Sequence, residues 1–551
     1  MTAPAVGSIV IPAPDKGARG QAPAGILFLL LLAALALPAG AATLRWSSQG
    51  DYLSADPHAQ NEGLNNLLND EIFERLTSRD KQLRLIPSLA TAWELKSPTV
   101  WRFALRRGVR FHDGTPFTAD DVVFSIERAQ LPRSNFKVFA VPVGKARRID
   151  SHTVEIETPV PSPVLHENLT AIRIMSKAWC EKHAALKPQD FKTGEETYAS
   201  RAANGTGPYV LVKRDSEVVT ILRKNPGWWG LTEGTGDRRF EGNVDEIVYR
   251  PIKSNATRMA ALVSGELDLV MDPALQDVPR LKTDPNVRIV EGPENRVIFL
   301  VMDQQRDELR YSNVKGRNPL KDLRVRKALY SAIDVEAIRS QVMRGLALPT
   351  GAMIPTLRQS FPETEPRLLP FDPARAKALL AEAGYPAGFE LGLLCPNDRY
   401  VNDERICTAL AAMLAKVGVK VALTTMPRAQ FFQRVDNFDH SMHLYGWGGA
   451  AGDPGFTLTP VIHGRDGKGK GDFNSGRYKD GALDRLIDSA EVEMDAPKRR
   501  AMMLEAFQRV RDNVLTIPLH RQMIPWAVRA NVKVVHRPDN VVEALWITVG
   551  K

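Results

Sequence analysis

The stretch that decides the fold of this chain is Trp101-Arg-Phe-Ala-Leu-Arg-Arg-Gly-Val-Arg-Phe-His-Asp-Gly-Thr-Pro-Phe-Thr-Ala-Asp-Asp-Val-Val-Phe-Ser125. Its opening residues alternate loosely between apolar and polar side chains, a pattern that predicts a strand. The glycines and the proline between residues 108 and 116 indicate a turn. Thr118 is a predicted helix N-cap, and Asp120 and Asp121 fall in the first turn, where carboxylates are favourable. The stretch therefore predicts a strand, a turn and a capped helix.

The pattern of predicted elements changes near Asn295. Before it, short alternating segments predict mainly strands. After it, an apolar strand at residues 297–302 is followed by helices that alternate with strands. Asp372 and Pro373 open one of these helices as an N-cap followed by proline, and residues 404–417 form another. This alternation implies a parallel or mixed sheet with helices on its faces, so the predicted class is α/β.

Length and charge narrow the classes of function. The chain has 551 residues, more than one hydrophobic core usually holds, so two or three domains are expected. The formal net charge is +9, which raises the question of nucleic-acid binding. However, the basic residues are scattered among 64 acids, and no long block of one charge occurs. We therefore expect no nucleic-acid partner.

The N-terminus has the composition of a signal peptide. Lys16 and Arg19 precede an apolar run at residues 26–37, and small residues follow up to Ala42. A helix needs roughly 20 apolar residues to span a bilayer, and this run is shorter. We expect residues 1–42 to be a signal peptide cleaved near Ala41 or Ala42, and the mature chain to lie outside the cytoplasm. A retained membrane anchor is the alternative.

The sequence contains three cysteines, and an exported chain can form disulfides between them. Cys395 and Cys407 flank a short polar loop and are the candidate disulfide pair. Cys180 is then left as an odd thiol, which we expect to be buried.

Common catalytic and metal-binding signatures are missing from the sequence. It contains no Gly-x-Ser-x-Gly, His-Glu-x-x-His or Cys-x-x-Cys motif. Residues 464–470 match the start of a phosphate-binding loop, but Gly471 stands where that loop needs Ser or Thr. His440 and His443 fit a structural role in a strand better than a metal site. We therefore expect no catalytic residue, no cofactor and no metal.

A glycine-rich stretch, Tyr445-Gly-Trp-Gly-Gly-Ala-Ala-Gly-Asp-Pro454, combines aromatic rings, an acid and exposed backbone. We expect its glycines to end the preceding strand and to let the backbone approach another group closely. A rigid ring beside free N–H groups suits contact with a small molecule. The alternative is a surface turn with Trp447 packed in the core.

Further motifs occur in the order typical of one protein family. They are Gly205-Thr-Gly-Pro-Tyr, Asn225-Pro-Gly-Trp-Trp, Ser264-Gly-Glu-Leu-Asp-Leu269, Leu323-Arg-Val-Arg-Lys-Ala-Leu and Phe371-Asp-Pro-Ala-Arg-Ala-Lys-Ala-Leu-Leu-Ala-Glu-Ala-Gly-Tyr-Pro. With residues 101–125 and the glycine-rich stretch, they make the chain resemble the family 5 extracellular solute-binding proteins of bacterial ABC importers. That family includes oligopeptide-, dipeptide- and nickel-binding proteins, and the resemblance covers essentially the whole mature chain.

The resemblance implies a two-lobed periplasmic-binding-protein fold of type II, in its large three-subdomain variant, with a ligand cleft between the lobes. Lobe I would comprise residues 43–294, with 515–551 returning to it, and lobe II residues 295–514. Hinge strands would cross near 297–302 and 516–520. The protein would be a periplasmic monomer that binds a small molecule or short peptide. It would deliver this ligand to an ABC permease and ATPase complex at the inner membrane.

The resemblance also implies ligand-binding residues. Trp447, Gly446 and Tyr445 would form a wall of the cleft. Ala450 stands where peptide-binding members carry the acid that pairs with the peptide's ammonium group, and Asp453 matches a second acidic position. The segment around Arg399 is similar to one in dipeptide-binding members whose arginine takes the ligand carboxylate, although the proline of that motif is absent here.

These residues suggest a peptide or peptide-like ligand with altered recognition of the amino group. Whether Asp453 takes over the missing acid stays open. Alternatives for the ligand are an opine, a sugar or a nickel complex. Alternatives for the function are a ligand-sensing partner of a membrane receptor and a periplasmic hydrolase.

Overall fold

The computed structural model describes residues 42–550 except 235, 237, 356–360 and 449–451. The predicted signal peptide therefore lies outside the described residues, apart from Ala42 at its end. The strands are β1 (Ala42–Ser48), β2 (Thr77–Arg79), β3 (Leu85–Pro87), β4 (Ala90–Ser97), β5 (Val100–Leu105), β6 (Lys145–Asp150), β7 (Thr153–Glu157), β8 (Tyr209–Asp215), β9 (Val219–Lys224), β10 (Val244–Pro251), β11 (Leu269–Val270), β12 (Val287–Met302), β13 (Ala347–Pro349), β14 (Phe389–Pro396), β15 (Val419–Met426), β16 (Met442–Gly448), β17 (Thr516–Arg529), β18 (Val532–Lys533) and β19 (Thr548–Val549).

The helices range from single turns to the 17 residues of the last one. They are α1 (Gly63–Ile72), α2 (Ala119–Gln130), α3 (Lys137–Ala140), α4 (Leu165–Asn168), α5 (Lys177–Lys182), α6 (Tyr198–Arg201), α7 (Asn255–Ser264), α8 (Val278–Leu281), α9 (Leu323–Ser331), α10 (Val335–Ala337), α11 (Pro373–Glu382), α12 (Asp403–Ala415), α13 (Arg428–Asp436), α14 (Gly455–Thr457), α15 (Gly481–Val492) and α16 (Ala496–Asp512). None of the helices in the described part of the chain has the length and apolarity that a membrane crossing requires.

A mixed sheet of 11 strands runs through the protein, in the order β15-β14-β16-β12-β17-β11-β1-β10-β9-β8, with β13 added beside β17. Strand β14 pairs in parallel with β15 and β16, and β1 pairs in parallel with β10 and β11. Strands β12 and β17 pair antiparallel with each other and with their other neighbours. The prediction of a mixed α/β sheet is confirmed.

The stretch 101–125 folds as predicted. Strand β5 covers its start, and α2 begins directly after Thr118, whose backbone N–H donates to Asp121 Oδ2 at 2.9 Å. This contact is half of a capping box, which satisfies free N–H groups at the helix start. The predicted start of α11 is confirmed as well: the Asp372 side chain accepts the N–H of Arg375, and Pro373 is the first helical residue.

Strands β12 and β17 are longer than predicted and cross the middle of the large sheet together. Their pairing register shifts between Pro293 and Val297, so that Glu294, Asn295 and Arg296 lie opposite the single residue Gln522. Such a bulge bends a strand and redirects its side chains. We attribute the underestimate of both lengths to Gly292, Pro293 and Pro525, residues that usually end a strand. Here the bulge adjoins Pro293, and pairing resumes beyond it.

The hydrophobic cores fall into two groups along the chain. Three clusters, here called the N-terminal cores, draw their buried residues from 44–287 and 526–547. Two clusters, the C-terminal cores, draw them from 297–519. The change from one group to the other falls inside β12 and β17, next to the bulge. The two crossing strands therefore connect both groups of cores.

A disulfide joins Cys395, near the end of β14, to Cys407 in α12, the pair that the sequence singled out. It closes the connection that carries Arg399. Cys180 is buried and has no disulfide partner.

Candidate functional site

The predicted ligand-contacting stretch begins on β16, which continues through Gly446 and has Gly448 as its last residue. Gly446 pairs with Ile298 and Gly448 with Arg296 of β12. A Cβ on Gly446 would lie 2.5 Å from Tyr400 Cε1, and one on Gly448 would lie 2.2 Å from the Asn295 carbonyl oxygen. Glycine is therefore required at both positions because the neighbouring chain segments approach the strand closely.

Trp447 lies at the edge of a C-terminal core and is half-buried. Its Nε1–H donates to the Phe456 carbonyl oxygen at 3.1 Å. Its ring centroid lies 5.8 Å from that of Phe456 and 5.0 Å from that of Phe473. These contacts fix the orientation of the indole and leave part of its surface accessible. Trp447 is therefore partly a core residue, as one interpretation predicted. The accessible part of its ring is free for the contact with a small molecule that the other interpretation predicted.

Tyr445 lies on the same face of β16, two residues earlier, and belongs to the core itself. Its side chain is only 6% exposed and makes an edge contact with Phe299. Burial raises the pKa of its hydroxyl above the usual value. Tyr445 is therefore largely inaccessible to a solute.

Asp453 is bound to Arg499 of α16. Nη1 of Arg499 donates to Asp453 Oδ2 at 2.5 Å, and Nη2 donates to Oδ1 at 2.8 Å. Oδ1 also accepts the backbone N–H of Gly455 at 2.8 Å, which holds the start of α14. Three donors therefore occupy this carboxylate, and its charge is neutralised within the protein. Ala450, the other position considered for amine recognition, lies outside the described residues.

The connection after β14 places Arg399 next to β16. Oδ2 of Asp403 accepts the backbone N–H groups of Arg399 and Tyr400, both at 2.9 Å. The Tyr400 hydroxyl donates to the Gly446 carbonyl oxygen at 3.4 Å. The Arg399 guanidinium lies 5.1 Å from the centre of the Tyr400 ring. The loop that carries Arg399 is thus attached to the strand that carries Trp447.

The guanidinium of Arg399 has no hydrogen-bond or ion-pair partner within the described part of the chain, although the residue is half-buried. Burial lowers the pKa of Arg399, and the positive charge of Arg296 lowers it further. A desolvated cation without a partner is costly, so this group is suited to an anion from outside the chain.

The bulge in β12 supplies a charged pair beside this loop. Arg296 Nε donates to Glu294 Oε1 at 3.1 Å, and Gln522 Nε2 donates to Glu294 Oε2 at 2.6 Å. Gln522 Oε1 in turn accepts the backbone N–H of Val401 at 3.0 Å. Burial opposes the charge of Arg296, but the Glu294 carboxylate outweighs it and raises the Arg296 pKa.

Sequence reasoning did not identify Glu294 and Arg296 as candidate site residues. The only available signal was a charged pair directly before the apolar strand at residues 297–302.

An aromatic stack links the glycine-rich stretch to the N-terminal cores. The rings of Phe456 and Phe139, the latter in α3, are parallel within 14°, with centroids 5.9 Å apart. Phe139 packs against an N-terminal core. Asp453 also approaches this side, because its negative charge partly offsets the burial that lowers the pKa of His166. Trp447, Arg399 and the bulge therefore lie where the two groups of cores meet.

No metal centre is evident among the residues that the structure describes, since no group of three His, Cys, Asp or Glu side chains there is arranged to hold a metal ion. His440 and His443 are buried side by side with ring centroids 4.3 Å apart, and His443 Nε2 lies 3.0 Å from Ser475 Oγ. They sit at the start of β16, away from Trp447 at its other end.

Comparison with known proteins assigns the family. The sequence profile described as "Bacterial extracellular solute-binding proteins, family 5 Middle" matches residues 84–469. The chain belongs to this family. Its fold agrees, because the periplasmic binding protein DppA from Helicobacter pylori, in complex with peptide STSA, superposes with a TM-score of 0.74. That alignment covers 93% of this chain and 98% of the other, at 22% identity.

Two relatives of the family 5 protein are named for different ligands. Heme-binding protein A of Haemophilus influenzae is 28% identical over 472 residues, which is 80% of each chain. Di/tripeptide-binding protein 1 of Pseudomonas aeruginosa is 26% identical over 519 residues, which is 89% of this chain and 91% of the relative. Together, the family match and the structural comparison show the type II periplasmic-binding-protein fold and membership of the solute-binding class of proteins.

Proposed function

We propose that this chain is the substrate-binding component of an ABC importer that captures a peptide or peptide-like solute. The observation that carries the proposal is the half-buried Arg399, whose guanidinium has no hydrogen-bond or ion-pair partner among the described residues. It lies on the loop that contacts Gly446, on the strand that carries Trp447, where the two groups of cores meet. An arginine in this position suits a ligand carboxylate, and the indole suits the rest of a small solute. The peptide-binding relatives support the same class of ligand.

The proposed mechanism uses the two groups of cores as lobes. Lobe I comprises residues 43–294 together with 515–551, and lobe II comprises residues 295–514. The change of core inside β12 supports the boundary at residue 294, whereas the change inside β17 falls between residues 519 and 526, a few residues after the proposed boundary. A solute that contacts both lobes favours the closed state by the difference between its affinities for the two states. Closure then presents a surface to the membrane permease and its ATPase.

The function needs binding and release only, so we propose no catalytic step and no cofactor. We further propose a periplasmic monomer from which residues 1–42 have been removed. The family assignment supports a location outside the cytoplasm.

Thermal-shift measurements on the purified mature chain test the proposal. We expect mixtures of di- to pentapeptides to raise the melting temperature, because a ligand that binds only the folded state stabilises it. Opines, sugars and nickel are measured in parallel, and a shift with sugars or nickel alone contradicts the peptide assignment. The variant Arg399→Gln should lose the peptide response. Arg375→Gln, at an exposed arginine of α11 paired with Glu382, is the matched control.

A further inference from the structure

Counted without the acids that bind other groups of the protein, the charges around Arg399 are unbalanced toward the positive. Burial and the positive charges of Arg296 and Arg428 lower the pKa of Arg399, whereas Tyr400 and Glu294 act in the opposite direction. Glu294 already accepts hydrogen bonds from Arg296 and Gln522.

The next acid along the chain, Asp398, does not correct this balance. It is exposed, and its Oδ1 accepts the backbone N–H of Arg428 at the start of α13. The buried Asp403 is also engaged, since its carboxylate accepts the backbone N–H groups of Arg399, Tyr400 and Glu404. This part of the site thus contains two guanidinium groups and two carboxylates, and both carboxylates already accept hydrogen bonds within the protein.

The acid of the glycine-rich stretch does not correct the balance either. Asp453 is the single acid in residues 445–454, and both of its oxygens accept hydrogen bonds from Arg499. An ammonium group placed beside Trp447 would have to displace Arg499 to reach this carboxylate. An ion pair at this depth, 15% and 11% exposed, is expensive to break, because each partner would be left buried and unpaired.

Arg296 and Arg399 are held in place by the same set of contacts. Gln522 joins the bulge to the loop, since it donates to Glu294 and accepts from Val401. The backbone of Arg296 pairs with Gly448, next to Trp447. The Arg296 guanidinium and the loop that carries Arg399 are therefore positioned by the fold before any solute arrives, which reduces the cost of ordering them on binding.

We infer that this site holds its solute by a carboxylate between Arg296 and Arg399 and does not require a free amino group. The inference rests on the proposed function and makes it more specific. The ligand class is that of peptides and peptide-like acids with a free carboxylate, including those whose amino end is acylated. Arg296 is assigned here as a second contact for the carboxylate. Trp447 then faces the uncharged part of the solute.

The test uses one equimolar tripeptide mixture in three forms: unmodified, N-acetylated and C-amidated. We expect the N-acetylated mixture to raise the melting temperature of the mature protein as the unmodified mixture does, and the amidated mixture to have no effect. If acetylation abolishes the shift, or if the amidated mixture retains it, the inference is wrong while the proposed function stands. If none of the three forms causes a shift, the proposed function itself is wrong.

Variants of Arg296 give a second, independent test. Calorimetric titration with the N-acetylated mixture should show a roughly ten- to hundredfold loss of affinity in Arg296→Gln, the size expected for one charge-assisted contact. Arg296→Lys keeps the charge and the pairing with Glu294 but loses the planar fork, so an intermediate affinity is expected. Arg375→Gln is again the control. Unchanged affinity in a folded Arg296→Gln protein overturns the role of Arg296.

Discussion

Arg499 and Asp453 form a two-point ion pair, with Nη1–Oδ2 and Nη2–Oδ1 distances of 2.5 and 2.8 Å. The pair connects the glycine-rich stretch to α16, and 46 residues separate its members in sequence. The acid of this stretch therefore stabilises the folded protein, and the predictions for this region follow from that role.

Replacing Asp453 should affect stability more than ligand affinity. In Asp453→Asn we expect the free energy of unfolding to fall by about 1–3 kcal/mol, because Arg499 is left partly buried without its counter-ion. Peptide affinity should change by less than about threefold. Urea denaturation and calorimetric titration measure the two quantities. A tenfold loss of affinity at unchanged stability would show instead that Asp453 binds the ligand.

Installing an acid at Ala450 should change the selectivity of the site. The family resemblance implies that Ala450 stands where peptide-binding members carry the acid that pairs with the ligand's ammonium group, so we expect Ala450→Asp to strengthen binding of unmodified tripeptides relative to N-acetylated ones. A charge-assisted hydrogen bond corresponds to roughly a ten- to hundredfold preference. Ala450→Asn, which adds a side chain of similar size without the charge, is the control. Equal preference in the two variants contradicts the prediction.

The stack of Phe139 on Phe456 should contribute to the affinity for the ligand, because it joins the two groups of cores in the structure described here. A double-mutant cycle of Phe139→Ala and Phe456→Ala should give a coupling energy of about 0.5–1.5 kcal/mol in peptide binding. The cycle is needed because Phe456 also contacts Trp447, so its single variant loses more than the stack. Strictly additive effects would show that the stack does not favour the bound state.

Removing the disulfide should lower both stability and affinity. We expect the double variant Cys395→Ala and Cys407→Ala to unfold more easily by about 2–3 kcal/mol, because the unfolded chain is no longer cross-linked. Affinity should also fall, since the bond closes the connection that carries Arg399. Cys180→Ala is the control and should keep the response of the melting temperature to a reducing agent. A double variant that still responds to the reducing agent would contradict the assignment.

His520 should make the stability depend on pH. Burial lowers its pKa to about 4, whereas an exposed histidine titrates near 6.5. The unfolded chain therefore binds a proton that the folded chain does not bind, and stability falls as the pH decreases from about 6.5 toward about 4. In His520→Leu the loss of stability between pH 7 and 5 should be smaller by roughly 1–2 kcal/mol. Denaturation midpoints at pH 7 and pH 5 measure this loss. If the loss between the two pH values is the same in the variant and in the unmodified protein, the prediction is wrong.

Local signals in the sequence were sufficient to predict helix starts and the family. They were insufficient to predict which side chains contact one another at the site. The N-cap at Thr118 and the proline after Asp372 depend on neighbouring residues, so both helices begin as predicted. The bulge at residues 294–296 depends on pairing with Gln522, more than 200 residues away. Likewise, the sequence shows that Asp453 is present, but only the fold shows that Arg499 occupies it. Charge balance at the site is therefore a property of tertiary contacts.

The bulge has a mechanical consequence for the proposed closure. Three residues of β12 lie opposite one residue of β17 at this point, so the backbone pairing is interrupted, and its register shifts once more between Ile298 and Phe299. A rotation of one lobe against the other would be easiest about this interruption. Arg296 lies on that axis and would move little, whereas surfaces far from it would travel furthest. The solute would thus be recognised where displacement is smallest, and the permease would detect closure at the distant rims, where the same small rotation is amplified.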